Sequence, residues 1–331
     1  MMKQPWLSYF KKGIFALSMI TNSWAIESQK VLISQTVDHP ALSATTQGII
    51  DALSEAGFKQ GQSFDIRVES AQANAALAHQ IAQKFIHQNP DIVVGIGTLS
   101  AQSFAKAALQ GNVKLIFSSV TDPLGAGLVT SLTKLERNTS GVSNFVDLEP
   151  QLTLFQKIQP TLKRLGFLYN PGEANSVYIL KKLQHLCAQL NIDVVPQGAM
   201  KTADVPQGAT KLAQNVDAIF ISNDNTALSS LPSVIKIATL AKIPVYVSDT
   251  DAVAQGALAA LGPNQYDVGV RTGKMIARIL QGKDIAEQGV EFPQKVDLYL
   301  NADTAAQLGL KIPDDVMTSA TKIISEKRSS L

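Results

Sequence analysis

The chain has 331 residues, 45% hydrophobic, 17% charged and 6% aromatic, with 29 Lys and Arg against 27 Asp and Glu. That length accommodates two domains with separate cores, and the composition is that of a soluble globular protein rather than a disordered or fibrous one. So even a charge balance argues against a nucleic-acid binder, which would show a basic stripe, and no nucleic acid is expected as a partner.

The first 25 residues differ in character from the rest. Lys3, Lys11 and Lys12 form a positive region, residues 13–20 are apolar, and Ser23-Trp24-Ala25 offers small residues at both positions a signal peptidase reads. Residues 1–25 are therefore expected to be a signal peptide, with an interfacial amphipathic helix as the competing reading. The apolar run is short for a permanent bilayer anchor. Removing three Lys from the 29 basic residues leaves 26 against 27 acids. No Cys directly follows the cleavage point, so the expectation is an unlipidated protein of the bacterial periplasm.

Beyond the leader, strands and helices alternate as in βαβ units. Strands are predicted at 31–36, 64–70, 91–97, 113–120 and 140–144. Between them Ile49, Leu53 and Ala56 share a helical face that stops at Gly57. Leu77, Ile81 and Phe85 do the same before Asn89-Pro90. The second half repeats the plan, with strands at 164–169, 193–198, 217–222, 244–248 and 257–261 and helices over 175–190, 203–214 and 227–241. Ile92-Val93-Val94 and Ala218-Ile219-Phe220-Ile221 are continuously apolar, as strands covered on both faces must be. Cys187, alone of its kind, shares a helical stripe with Leu180, Leu183 and Leu190 and reads as a core thiol.

The tail supplies an amphipathic helix at 265–281 through Val268, Thr272, Met275, Ile276 and Ile279, stopped by Gly282. A strand at 296–300 and a helix near 303–308 follow. The helix is expected to return to the first lobe and the strand to the second. The fold class is thus α/β, two Rossmann-like lobes with parallel sheets joined by a three-crossing hinge. Lobe 1 takes residues 30–147 plus 262–290, and lobe 2 takes 148–261 plus 291–331.

Six strands run into knots of Ser, Thr, Asp and Asn: Ser34-Gln35-Thr36, Thr98-Leu99-Ser100, Thr121-Asp122-Pro123, Glu173-Ala174-Asn175-Ser176, Asn223-Asp224-Asn225-Thr226 and Ser248-Asp249-Thr250-Asp251. In parallel sheets ligands sit beyond the carboxyl ends of the strands, where helix N-termini offer free N–H groups. With three knots in each half, two sheets are expected to face one small ligand. Thr98 and Ser100 would receive a carboxylate, or Thr98 simply caps its helix. Thr121 is the better contact beside Asp122, which equally suits a turn cap. Gln35, Glu173, Asn175, Ser176 and Asn225 complete the polar lining. An ammonium needs an acid, supplied by Asp224 or Asp249, both expected to face water in an open cleft. Phe145 and Tyr169 are apolar candidates by position.

Other chemistries fail on spacing. Gly95-Ile96-Gly97-Thr98-Leu99-Ser100 half-matches a dinucleotide fingerprint but lacks its third Gly and its distal acid, so no cofactor is expected. His39, His79, His87 and His185 show no metal-ligand spacing, and His39, beside the first cleft loop, is assigned to the surface, with stacking on a ligand as the competing reading. No G-x-S-x-G elbow occurs, so the chain reads as a binder and not an enzyme.

Several segments resemble one known family. They are Asp38-His39-Pro40-Ala41-Leu42 with Gly57-Phe58, the run 119–128 (Ser-Val-Thr-Asp-Pro-Leu-Gly-Ala-Gly-Leu), Leu168-Tyr169-Asn170-Pro171-Gly172-Glu173-Ala174-Asn175-Ser176, Asp224-Asn225-Thr226, Asp249-Thr250, Thr272-Gly273-Lys274-Met275 and Ile279-Leu280-Gln281-Gly282. In order and over about residues 30–320, they resemble ABC-transporter substrate-binding proteins of the tryptophan/tyrosine type, with a type I periplasmic-binding fold. The resemblance implies an aromatic amino acid as ligand, and an ABC permease and its ATPase as partners of a monomer. A sensing module that serves a membrane receptor, and an α/β enzyme, are the alternative classes.

Overall fold

The computed structural model describes residue 1 and residues 28–61, 64–108, 113–133 and 138–325. The expected leader lies, but for residue 1, outside the described residues. The first half runs β1 (Gln29–Gln35), α1 (Pro40–Glu55), β2 (Phe64–Ser70), α2 (Ala75–Ile86), β3 (Ile92–Ile96), α3 (Thr98–Ala108), β4 (Lys114–Val120) and β5 (Thr139–Ser143). These strands pair in parallel in the order β2-β1-β3-β4-β5. The second half runs α4 (Leu148–Ile158), β6 (Arg164–Tyr169), α5 (Ala174–Gln189), β7 (Asp193–Gly198), α6 (Val205–Ala213), β8 (Ala218–Ile221), α7 (Asn225–Leu228), α8 (Leu231–Leu240), β9 (Val245–Val247) and β10 (Ala259–Gly262).

Then α9 (Gln265–Leu280) leaves the second sheet and packs on the first, and β11 (Asp297–Asn301) returns to pair antiparallel with β10. The chain closes with α10 (Ala302–Leu308), α11 (Asp314–Ser319) and β12 (Lys322–Ile324). The second sheet has the order β12-β11-β10-β9-β8-β6-β7. The fold is α/β with two lobes, and the chain passes between its sheets after β5, after β10 and before β11.

The strand expectations hold to within two residues, for physical reasons. Central strands such as Val31-Leu32-Ile33 and Ile92-Val93-Val94 are wholly buried because helices cover both faces. Pro196 is tolerated in β7 because that strand is an edge. The single helix expected at 227–241 is instead two, since Pro232 at the start of α8 opens a fresh helix. The sequence reading did not anticipate α4, α11 or β12.

Helices α1 and α9 meet backbone to backbone. A Cβ placed on Gly48 would strike the Tyr266 carbonyl and stand 2.8 Å from the Val270 nitrogen. One on Gly269 would strike the Thr45 carbonyl, and one on Gly273 would sit 2.7 Å from the Ile49 carbonyl. Around these glycines Ile49 and Leu53 pack with Val268, Met275, Ile276 and Ile279 into one core with β1 and β3. Residues from the far end of the chain thus complete the first lobe.

This contact predicts the cost of a single methyl. Alanine gains about 1 kcal/mol of helix propensity over glycine, yet here its Cβ meets immovable backbone. Gly269→Ala is therefore expected to lose about 1–3 kcal/mol net, as overpacked cores do. Urea unfolding followed by circular dichroism measures it; a midpoint equal to or above the parent's would show that the two helices are further apart than described.

Candidate functional site

On the first lobe, the wall of the cleft is built from strand ends and the start of α1. Pro40 lies in the first turn of α1, a position that needs no N–H, and His39 makes no capping bond. The His39 ring is released to cross the cleft, where Nε2 lies 3.4 Å from Asn225 Oδ1 on the second lobe. His39 is 7% exposed, not a surface residue as expected. Burial pushes its pKa below the usual histidine value, against the opposing hydrogen bond to Asn225 and the charges of Glu173 and Asp38.

At the end of β4 the ladder slips between Ser118 and Val120, and Ser119 takes φ +53°. Such a bulge re-aims the side chain at a strand end. The Ser119 hydroxyl donates to Gln265 Oε1 at 3.0 Å and shares a hydrogen bond with Thr45 Oγ1 at 3.1 Å. One polar cluster therefore joins β4, α1 and α9 at the cleft. Beside it Thr121 donates to Asn144 Oδ1 at 3.3 Å.

The second lobe holds three carboxylates in two different situations. Glu173 accepts from the backbone N–H and side chain of both Asn225 and Thr226, at 2.7–3.0 Å, and so anchors the first turn of α7. Asp224 Oδ2 accepts from Asn170 N and Ser176 Oγ at 2.6 Å, and Oδ1 accepts from Ala227 N at 2.7 Å. It is fully buried. Burial and then the charge of Glu173 raise its pKa, while the three donors hold it down.

Asp249 is also buried, but accepts only a 3.1 Å bond from Asp251 N among its described contacts. Burial, and secondarily the charge of Asp251, push it up to about 7. Of the two acids considered for an ammonium, Asp249 faces the cleft and has the fewest donors of its own. Neither stands in water as expected.

A small cavity of about 20 Å³ lies where the lobes meet, lined by Thr98, Thr121, Asn175, Asn225 and Asp249 among the predicted residues. His39, Ser119, Asn144, Asn223 and Gln265 also line it, with Ala41, Leu42 and Leu228 as its apolar surfaces. A space of that size holds little more than a water, so a larger ligand enters only when the lobes part. A neighbouring opening of about 170 Å³ takes in Thr98, Asn175 and Glu173.

The other predicted residues are occupied within their own lobes. Gln35 donates to the Val37 carbonyl at 2.8 Å and accepts from Thr46 Oγ1 at 2.7 Å, which holds the β1–α1 loop. Ser100 shares a 3.1 Å bond with Ser34. Asp122 accepts from Gly125 N at 3.0 Å, the turn-capping alternative. Ser176 serves Asp224. Phe145 packs edge-on against Tyr178 and Tyr169 stacks on Phe167, so neither apolar candidate lines the cavity. Among the described residues no group of three or more His, Cys, Asp or Glu is placed to hold a metal ion.

The family model described as ABC transporter substrate binding protein matches residues 30–324. A tyrosine-binding protein of Clostridioides difficile is 32% identical over 320 residues, 92% of each chain. A solved domain in complex with L-Trp, from Streptococcus pneumonia, is 31% identical with a TM-score of 0.86. The ligand-free, open structure of CD0873, a substrate binding protein with adhesive properties from Clostridium difficile, is 34% identical with a TM-score of 0.67. Both structures cover 90% of this chain and are themselves covered completely. This chain stands with its lobes together.

Two measurements separate the acids. In Asp224→Asn the single remaining oxygen cannot satisfy all three donors, and an amide N–H is set against another N–H. Loss of about 1–3 kcal/mol is expected, and unchanged stability would show that the donors have other partners. For Asp249, between pH 4 and 7 the folded state keeps a proton that the unfolded chain has lost. The acid's contribution to stability therefore falls as pH rises through that window, by up to about 1.4 kcal/mol per unit, and levels off above it. Urea titrations of the parent and Asp249→Asn from pH 4 to 8 should converge at the acid end and diverge toward pH 7, with the variant the more stable.

Proposed function

Because this chain belongs to the ABC transporter substrate-binding protein family, we propose that it captures an aromatic L-amino acid between its lobes and delivers it to an ABC permease and its ATPase. The observation that carries this reading is the pairing of Asp249, a buried acid short of donors, with a hydroxyl-rich wall across one cavity. An amino acid needs a counter-charge for its ammonium and donors for its carboxylate, held apart by the width of one Cα. Asp249 supplies the first, with the amide oxygens of Asn223 and Asn225 nearby. The first turn of α3 offers backbone N–H groups and Thr98 adds a hydroxyl for the second. Ala41, Leu42 and Leu228, with the His39 ring, receive the side chain.

The choice of an aromatic side chain draws on the names of the tyrosine-binding relative and the L-Trp complex. We assign lobe 1 to residues 30–147 plus 262–290 and lobe 2 to 148–261 plus 291–331, with the three crossings as the hinge. Closure about it hides the ligand and shapes the surface a permease reads. The protein acts as a monomer without catalysis. It reaches the periplasm through the signal peptide of residues 1–25 and carries no lipid.

Calorimetry with L-tryptophan, L-tyrosine and L-phenylalanine tests the ligand: one-to-one binding of at least one is expected, and heat with none of the three rejects it. Truncating one member of a buried charge pair costs about 2–5 kcal/mol, so Asp249→Asn should weaken binding at least about 30-fold. Asp122→Asn, which touches a turn and not the cavity, should bind as the parent does. Mass spectrometry of a periplasmic extract should find Ile26 as the first residue; an intact Met1 confined to the cytoplasm would contradict export.

A further inference from the structure

Behind the cleft, a second cavity of about 350 Å³ opens between α9 and the crossing at residues 291–295. Its size falls in the range of small-molecule sites, and the cleft ligand does not account for it. Arg271, Lys274 and Arg278 line it from successive turns of one face of α9. Asp267 and Glu291 are its acids, and Lys295, paired at 2.7 Å with Asp297, closes its rim.

The charges do not balance locally. Arg271 Nη1 and Arg278 Nη2 bind the two oxygens of Glu291, at 2.9 and 2.7 Å. One carboxylate thus serves two guanidiniums, and Arg271 keeps unused donors in its fork. Lys274, one turn from each, is exposed and has no ion-pair partner among the described residues. Glu291 is itself held in place, since its N–H donates to the Gly141 carbonyl and its carbonyl accepts from Ser143 N, both at 2.9 Å. The two guanidiniums are therefore held on a fixed carboxylate before any ligand arrives, which lowers the ordering cost of binding.

We propose that this cavity binds a small polyanion, a molecule carrying two or more carboxylate or phosphate groups, on Arg271, Lys274 and the pinned Arg278–Glu291 pair. A single phosphate would leave most of the volume unfilled, whereas two anionic groups can reach the Arg271 fork and the Lys274 ammonium together. Pro263 and Pro293 line it from two of the crossings between the lobes. The site is separate from the cleft and does not depend on which ligand the cleft takes.

Calorimetry of the full chain at matched ionic strength tests it, with citrate as the carboxylate probe and pyrophosphate as the phosphate probe. Saturable one-to-one binding of at least one is expected, and which one binds identifies the anionic group. Lys274→Gln should weaken it at least fivefold and Lys274→Glu should abolish it, with unfolding midpoints near the parent's because Lys274 holds no partner. Lys181→Gln, an exposed lysine on α5, should change nothing. Absence of binding by both probes overturns the proposal, and so does binding that survives Lys274→Glu.

Discussion

The contact on which the architecture depends is between backbones. Gly48, Gly269 and Gly273 let α1 and α9 approach until their main chains touch. Any side chain there would hold the helices apart, and with them Val268, Met275 and Ile276, which close the core over β1 and β3. The same approach carries Gln265, the first residue of α9, to Ser119 and Thr45 at the cleft. It also turns the cationic face of α9 outward toward the crossing at Glu291. The cleft wall and the outer cavity therefore share one origin, the depth to which two helices can sink together.

Electrostatics divides the acids of the second lobe by how many donors each commands. Glu173 and Asp224 have enough N–H and O–H groups to stand burial, and their work is to hold the loops that begin α5 and α7. Asp249 has one backbone donor and an unfavourable burial. A buried carboxylate in that position gains from a cation more than a satisfied one does. The strain of Ser119 is the counterpart on the first lobe, where a backbone in the left-handed region turns its hydroxyl to Gln265 and Thr45 beside the cavity.

Strand positions were legible because a doubly covered strand must be apolar throughout, and α9 was legible as a helix from its apolar stripe, its return to the first lobe only from the two-lobe plan. The knots at strand ends contribute residues to the cavity between the lobes, but their sequence does not tell which member of each faces inward. Asp224 and Asp249 look alike in sequence; only the donors Asn170, Ser176 and Ala227, some of them tens of residues away, tell them apart. Ser119 escaped notice since a bulge leaves no mark on hydrophobic alternation. His39 did leave one: Pro40 in the first turn of α1 signals a helix start whose cap is dispensable, freeing the ring for other use. The split at Pro232 was similarly readable from a proline inside an expected helix.

A lobe completed by residues from the other end of the chain has a consequence for its birth. As the polypeptide emerges, β1 to β5 can pair early, yet the apolar face of α1 stays uncovered until α9 has followed the whole second sheet into solution. The second sheet in turn waits for β11 and β12 at its edge. Neither lobe can reach its final form as an independent unit during synthesis. Such interleaving ties completion of both lobes to the last elements of the chain, so a product truncated before α9 lacks the residues that cover α1.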